Sequence, residues 1–590
     1  MHRYRVWAPA AAEVSVESDN VAYPMEAAGG GWWVAEVTEA TAGSRYGFSL
    51  DGGPLRPDPR SGFQPEGVEG PSVLVEHGSF AWSDDGWRGV SLRGAVLYEL
   101  HVGTFTPAGT FEAVIERLDH LVDLGVDVVE LLPVAEFSGA RGWGYDGVDL
   151  FAPHHGYGGP EGLKRLVDAC HGAGLGVVLD VVYNHLGPAG NYLAEFGPYF
   201  SERHRTNWGA AVNFDGPGSD EVRRFVLDNA RQWLADYHFD GLRLDAVHAI
   251  VDDSALHILE EMATEVDALA THLGRPLFLV AESDRNDPRF VRSRDAGGYG
   301  LEAAWADEWH HALHAALSGE RAGYYEDFGS LELLAKALRQ AWVYDGTYSR
   351  HRGRRHGRFP AGLAGHQFVV CTQNHDQVGN RALGERASSL MSEGRLRVAA
   401  ALLLTGAFTP LLFQGEEWGA KTPFQYFTDH GDPALGRAVS EGRRHEFASF
   451  GWRPEDVPDP QAEATFLASR LDWEEVRRPR HAGLLDWYRR LLALRRSLPE
   501  LSDPRLESVQ AWAEEEEGTL VMRRGSLLVL VNLSGEPRRL LEGDAELLAA
   551  SAEGVIVDDG VLLPPDAVAI VRVPAGSSGE HVVAEGRVTG

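Results

Sequence analysis

Cysteine is nearly absent from this chain, with only Cys170 and Cys371 among 590 residues. Two thiols cannot build a disulfide framework, so the fold is expected to rest on its apolar core in a reducing compartment. No run approaches the ~18 uninterrupted apolar residues of a membrane span, and Met1 leads into HRYRVWAPAAAEV without the apolar stretch of an export signal. These gaps point to the cytoplasm and to no membrane partner. Positive charge is scarce as well: 54 Lys and Arg stand against 87 Asp and Glu, a net charge of −33. Such a surface repels a phosphate backbone and argues against nucleic acid as a partner. Missing too is a glycine-rich dinucleotide loop after the first apolar strand, and no HExxH or compact HxxxH spacing joins the strand-end residues Asp180, His185, Asp245 and His375. Neither a cofactor nor a required metal is therefore expected.

What is present is enough for a large core. The hydrophobic fraction is 44% with 10% aromatics, and the length exceeds what one core supports, so several domains are expected. Residues 1–88 read as short strands (YRVWAP, AEVSVES, GWWVAEV, SRYGFSL) broken by Gly, Pro, Asp and Asn, the texture of a small immunoglobulin-like β-sandwich. Between 89 and 503 the texture changes to apolar strands alternating with amphipathic helices. The strands are AVLYELHV, VDVVELLPV, GVVLDVVYN, GLRLDAV, LFLVAES, LEAAWADEW, HQFVVCTQNHD and FTPLLFQGEE. Eight such strands, each with a helix on its outer side, imply a parallel sheet closed into a (β/α)₈ barrel, with a doubly wound open sheet as the alternative. Residues 504–590 return to short strands, a C-terminal β-sandwich followed by a polar tail, AGSSGEHVVAEGRVTG, expected to be poorly ordered.

In a (β/α)₈ barrel the chemistry gathers at the C-terminal ends of the strands. Those ends carry His101, Asp180, Asn184, His185, Arg243, Asp245, Glu282, Asn374, His375 and Asp376. Arg243 and Asp245 lie two apart and so point to the same side of their strand. A cation beside a carboxylate favours the ionised form, while crowding by further carboxylates favours keeping a proton on one of them. One ionised carboxylate with one protonated partner is what glycoside cleavage requires. Each acidic residue taken singly reads equally well as a helix cap or ion-pair member. A metal site from Asp180, His185, Asp245 and His375 is a further possibility. The loop RGWGYDGVD, residues 141–149, offers Trp143 and Tyr145 beside Asp146, an aromatic face and a carboxylate suited to a sugar. His154 and His155 read as a solvated loop, and the basic run 349–358 as a solvated face or substrate-side lid, with nucleic acid as its other reading.

Four segments together resemble the α-amylase family of glycoside hydrolases: DVVYNH (180–185), GLRLDAVH (241–248), the Glu of VAESD (280–284) and QNHD (373–376). The resemblance implies Asp245 as nucleophile, Glu282 as acid/base and Asp376 as transition-state stabiliser. It implies that Arg243, His185, His375 and Tyr145 line the subsite of the attacked sugar. ESDRND, QNHDQVGNRALGER, FQYFTDH and PDPQAEATFLASRLDW look most like the members that release trehalose from maltooligosyltrehalose, an α-1,4-glucan chain capped by trehalose. A synthase that makes that substrate is implied by the resemblance alone. His248, Asp284, Arg285 and Asp287, which run outward from the catalytic strand ends, are the candidates for contacting the leaving group. A branching transferase and a non-catalytic carbohydrate-binding protein are the alternatives. The short segment 186–240, expected to be mostly helix, leaves little room for the calcium-binding excursion of secreted amylases.

Overall fold

The computed structural model describes residues 1–448, 453–557 and 560–574. The polar tail from Ala575 onward lies outside the described residues. At the centre is a closed parallel barrel of eight strands: Leu97–Leu100, Val128–Leu131, Gly176–Val181, Gly241–Leu244, Phe278–Ala281, Ala303–Trp305, Phe368–Cys371 and Thr409–Phe413. The chain thus forms a (β/α)₈ barrel, and the open-sheet alternative is excluded. The strands are shorter than the apolar runs that announced them, because the barrel's hydrogen bonding ends where the polar residues begin.

Alternation along each strand sorts the side chains into two environments. Tyr98, Leu100, Val129, Leu179, Leu242, Leu244 and Val370 face outward and join the large core shared with the surrounding helices. Leu97, Val128, Val178, Val280, Ala303, Val369 and Leu411 face inward and form an apolar floor. One step further along the inward-facing positions the chemistry changes to charge. Glu99 pairs with Glu130 across adjacent strands, and Asp180 with Arg243. The floor therefore closes the barrel, and the charged layer above it faces the C-terminal mouth.

Three features of the barrel's dressing differ from the sequence-based expectation. The helix after strand one is split into Phe111–Ile115 and Leu118–Leu124. No helix directly follows strand eight. The outer position is filled only by Pro479–Ser497, which packs between the helices Glu393–Thr405 and Leu118–Leu124. The intervening insertion carries the helix Pro433–Ala448. Segment 186–240 is likewise not mostly helix: the hairpin Phe200–Thr206 and Gly209–Val212 precedes the helix Ser219–Ala235. Its polar strands, SERHRT and the like, lack a helical apolar stripe, and the turn TNWG closes them.

Flanking the barrel are two pairs of antiparallel sheets. The N-terminal pair has three strands (His2–Trp7, Trp32–Val37, Glu26–Gly29) facing four (Val21–Pro24, Val14–Ser18, Arg45–Leu50, Ser72–Val73). It is tied to the barrel by a bidentate Arg56–Glu195 pair, both bonds 2.8 Å, and by Arg60–Asp228 at 2.8 Å. The C-terminal pair has five strands facing three. Strand Leu527–Asn532 is buried on both sides, with Leu528 and Leu530 in the core between its sheets and Val529 and Val531 against the barrel's helices. Among the described residues no helix is long and apolar enough to cross a membrane.

Candidate active site

The charged layer opens into a cavity of about 600 Å³ at the C-terminal mouth, lined by Tyr145, Asp146, His185, Asp245, His248, Glu282, His375 and Asp376 among others. Sequence reasoning thus named residues that the fold assembles from five of the eight strand ends. At its base lies Arg243, fully buried and seated 4.3 Å over the Trp305 ring. Its Nη1 donates to both oxygens of Asp180 at 2.9 Å and to Asp245 Oδ1 at 2.8 Å, while its Nη2 lies 3.8 Å from Glu282 Oε2. A buried guanidinium needs such partners, since an unpaired charge there would cost several kcal/mol.

The carboxyls are held differently. Asp245 also accepts from Asn184 Nδ2 at 2.8 Å, which fixes its orientation. Glu282 accepts the Ala246 N–H at 2.6 Å. That N–H is aimed by Ala246 itself, which adopts the left-handed conformation (φ 39°), a posture uncommon for a residue with a Cβ. Burial, with Asp245, Asp307 and Asp376 nearby, pushes the Glu282 carboxyl well above the usual range despite Arg243. Of the two carboxyls, Glu282 is thus the one whose environment favours keeping a proton, beside an arginine-bound Asp245. Asp376 stands apart at the mouth, about half exposed, with its backbone N–H capped by Asn374 Oδ1 at 2.9 Å.

The histidines and Tyr145 form the wall. Tyr145 donates to Asp180 Oδ2 at 2.6 Å and receives His375 Nε2 at 2.7 Å, its ring stacked on the imidazole. Burial alone would lower His375, but Glu99 and Asp376 outweigh it and raise the ring to about 9. His185 bonds Asn184 through Nδ1 and the Tyr145 carbonyl through Nε2 at 3.0 Å, and burial lowers its pKa. Trp143 lies beneath, its Nε1 donating to the Gln425 carbonyl. His101 is buried against Thr104 and Gly142, and burial takes it down to about 4.

On the side of Glu282 the expected residues separate. His248 lines the cavity. Asp284 is paired with Arg352 at 2.9 Å, and Arg285 reaches back to the His248 carbonyl at 2.6 Å. Asp287 binds Arg289 at 2.6 Å, and of the four expected leaving-group residues only His248 is among those lining the cavity, with Asp284, Arg285 and Asp287 outside its lining. The basic run 349–358 is folded onto this loop: Arg352 holds Asp284, and His356 Nε2 bonds the Asp284 carbonyl at 2.6 Å.

Several expectations are corrected here. His154 and His155 are not a solvated loop, for both rings bond the buried Glu136, at 3.0 and 2.8 Å, and His154 is fully buried. Asp180, His185, Asp245 and His375 are committed to Arg243, Tyr145, Asn184 and Glu99 rather than gathered as a ligand set. Among the described residues, the groups close enough to hold a cation are Glu136 with His154 and His155, and His204 with Asp215 and Asp253. Sequence reasoning also missed residues. Trp208, at the tip of the unexpected hairpin, stacks on His185 at 5.0 Å and lines the cavity. Asp307 follows strand six, where burial raises it to about 7. The strand-end rule could have found Asp307, but Trp208 required knowing the hairpin.

A barrel with this mouth defines a glycoside hydrolase of the α-amylase kind, and the comparisons agree. Residues 78–208 match the profile of the alpha amylase catalytic domain, and residues 504–570 that of a domain of unknown function, DUF3459. A malto-oligosyltrehalose trehalohydrolase of Arthrobacter ramosus is 53% identical over 567 residues, covering 94% of this chain and 98% of that one. Another, of Rhizobium sp. (strain M-11), is 50% identical over 585 residues, covering 97% of each. A solved putative alpha amylase of Salmonella typhimurium superposes with a TM-score of 0.89 at 38% identity, covering 97% of both chains. The chain belongs to the malto-oligosyltrehalose trehalohydrolase family.

Proposed function

We propose that the chain hydrolyses the α-1,4 bond joining a maltooligosyl chain to a terminal trehalose unit, releasing trehalose and a maltooligosaccharide. The substrate is supported by the near full-length likeness to enzymes of that name. The chemistry is supported above all by one guanidinium, Arg243, touching Asp245 while the carboxyl of Glu282 beside it is pushed up by burial. Asp245 attacks the anomeric carbon as Glu282 gives its proton to the leaving oxygen, so the glycosidic bond breaks and trehalose departs neutral. Water then attacks the same carbon, Glu282 takes its proton, and the ester to Asp245 is released with retention of configuration. Asp376, Arg243, His185, His375, Tyr145 and Asp146 hold the attacked sugar. His248, Asp284 and Arg285 face the trehalose, and Asp287 buttresses their loop through Arg289. No step requires a cofactor.

The same reading divides the chain into 1–88, 89–503 and 504–590, supported by sheets that fall wholly within each span. It links the enzyme in function to a synthase that makes maltooligosyltrehalose. A cytoplasmic location is supported by the two free, buried cysteines. Giving the enzyme maltotriosyltrehalose and maltopentaose separately and following the sugars by chromatography tests the substrate. Trehalose should be released with kcat/KM about 10²–10³ above that for maltopentaose, the value of two or three unmade hydrogen bonds. Equal rates on both would make it an ordinary amylase, and new α-1,6 linkages would make it a branching transferase.

A further inference from the structure

Beneath the sugar-facing wall, two carboxyls occupy the inward side of strands one and two. Glu99 and Glu130 are register partners on adjacent parallel strands, and both are 1% exposed. Their situations are opposite. Glu99 grips His375 twice: Oε1 receives the ring Nδ1 at 2.6 Å, and Oε2 receives the backbone N–H at 3.0 Å. Neither oxygen of Glu130 has a hydrogen-bond partner among the described residues.

From Glu99 a single file of hydrogen bonds runs to the reacting carboxylate. His375 Nε2 donates to Tyr145 at 2.7 Å, and Tyr145 to Asp180 at 2.6 Å. Asp180 receives Arg243 at 2.9 Å, and Arg243 donates to Asp245 at 2.8 Å. The first two donor directions in this file are set by its first member, while Arg243 can only donate. With a carboxylate at Nδ1, the His375 ring keeps both N–H groups, so Nε2 must donate and the Tyr145 hydroxyl must spend its own proton on Asp180. We propose that Glu99, which touches no part of the cavity, is a positioning residue: it holds His375 as a doubly protonated donor and thereby orients Tyr145 and the Asp180–Arg243–Asp245 array. The proposal rests on the reading of the pocket given above.

Glu130 explains how one carboxylate can act alone there. Burial and the proximity of Glu99 and Asp180 push the Glu130 carboxyl well above the usual range and so disfavour its charged form, while Glu99 is the one of the two that grips His375. The groups facing His375 fit this account. Glu99 and Asp376 favour its charged form, and Arg243 opposes it from strand four. Asp180 lies across Tyr145, while Asp307 on the strand-six side and His101 on strand one feel its charge.

The test compares Glu99→Gln with Glu130→Gln in the full-length enzyme, with trehalose release as the activity and isotope-labelled histidine NMR as the second readout. His375 is assigned by its loss in His375→Gln. In the unaltered enzyme the His375 ring should stay protonated to about pH 9. Glu99→Gln should bring that titration towards its ordinary value of about 6.5. It should also lower kcat about 10²-fold through misplaced donors, with KM changed less than about threefold. Glu130→Gln should leave kcat and the titration in place. An unshifted His375 in the unaltered enzyme overturns the proposal even if Glu99→Gln fails to fold. So do full activity of Glu99→Gln, and equal losses in the two variants, which would mean a general disturbance of the barrel floor. Retained activity in Asp245→Asn would instead sink the reading of the pocket, so the two failures are distinguishable.

Discussion

The two walls of the cavity are built in different ways. The wall of Tyr145, Asp180, Arg243 and His375 grows mainly from barrel strands, and its polar atoms bond one another in a buried array. The other wall carries His248 on the loop after strand four, and is backed by Arg285 and Asp284 after strand five and by the distant hairpin bearing Arg352. The first is shaped before any sugar arrives, which suits the place where charge develops during reaction. The second borrows its shape from a loop–loop contact in which Arg352 is 25% and Asp284 43% exposed. Such a wall is easily altered without harming the chemistry. Catalytic power and substrate choice are therefore expected to respond to different mutations.

The sharpest way to break that division is Asp245→Asn, which should cut kcat by about 10⁴-fold or more. Binding of maltooligosaccharide, measured by calorimetry, should survive because the remaining wall stays hydrogen-bonded. Next is Glu282→Gln, with an expected loss of about 10²–10⁴. Its sign in pH follows from the proton. As the proposed acid Glu282 acts while protonated, and its pKa is raised, so the alkaline fall in activity should lie above the ordinary carboxyl range. The variant should lose that limb, leaving only the decline near pH 9 where His375 gives up its proton. Rates from pH 5 to 10 would decide it, and an unchanged limb would assign the acid elsewhere.

On the loop-borne wall the effects should be smaller and selective. Arg352→Ala removes the charge-assisted bond to Asp284, which Arg352 holds below the usual carboxylate range against the effect of burial. The expected loss in kcat/KM on maltotriosyltrehalose is about tenfold, with maltopentaose nearly unaffected. Equal losses on both would erase the distinction between the walls. The smallest expected effect belongs to Trp208→Ala. Losing its stacked face should raise KM about three- to tenfold and leave kcat nearly intact, as steady-state kinetics would show.

The contrast also explains what the sequence made legible. Strand-borne residues follow a period of two, so once eight strands were recognised, Arg243, Asp245 and Glu282 could be placed on one side of one mouth. The same period put Glu99 and Glu130 inside the barrel. They were overlooked because LYEL and VVEL read as apolar strands rather than as carriers of charge. Loop-borne residues offer no such ruler. Asp284, Arg285 and Asp287 were grouped with His248 by nearness to the strand ends, yet only His248 lines the cavity, while Arg352 and Arg289 hold the two aspartates outside its lining. Ala246 carried no signal, since a left-handed alanine is dictated by its surroundings and not by its methyl group. His154 and His155 were misjudged because their partner, Glu136, lies 18 and 19 residues away.

The displaced final helix has a consequence for how such an enzyme can diversify. The barrel is closed by Thr409–Phe413 and clasped on the outside by Pro479–Ser497, and the intervening chain buries Trp418, Phe424, Phe427 and Leu471 in the core on either side of one inserted helix. That chain includes the helix Pro433–Ala448, which presents Val439, Gly442 and Arg443 to the cavity. That helix behaves as an interchangeable cover on a finished vessel: its length and composition can drift, or be exchanged by grafting, while the flanking core residues keep the vessel shut. New glucan preferences can therefore be sought by shuffling this one segment, leaving the eight strands as inherited.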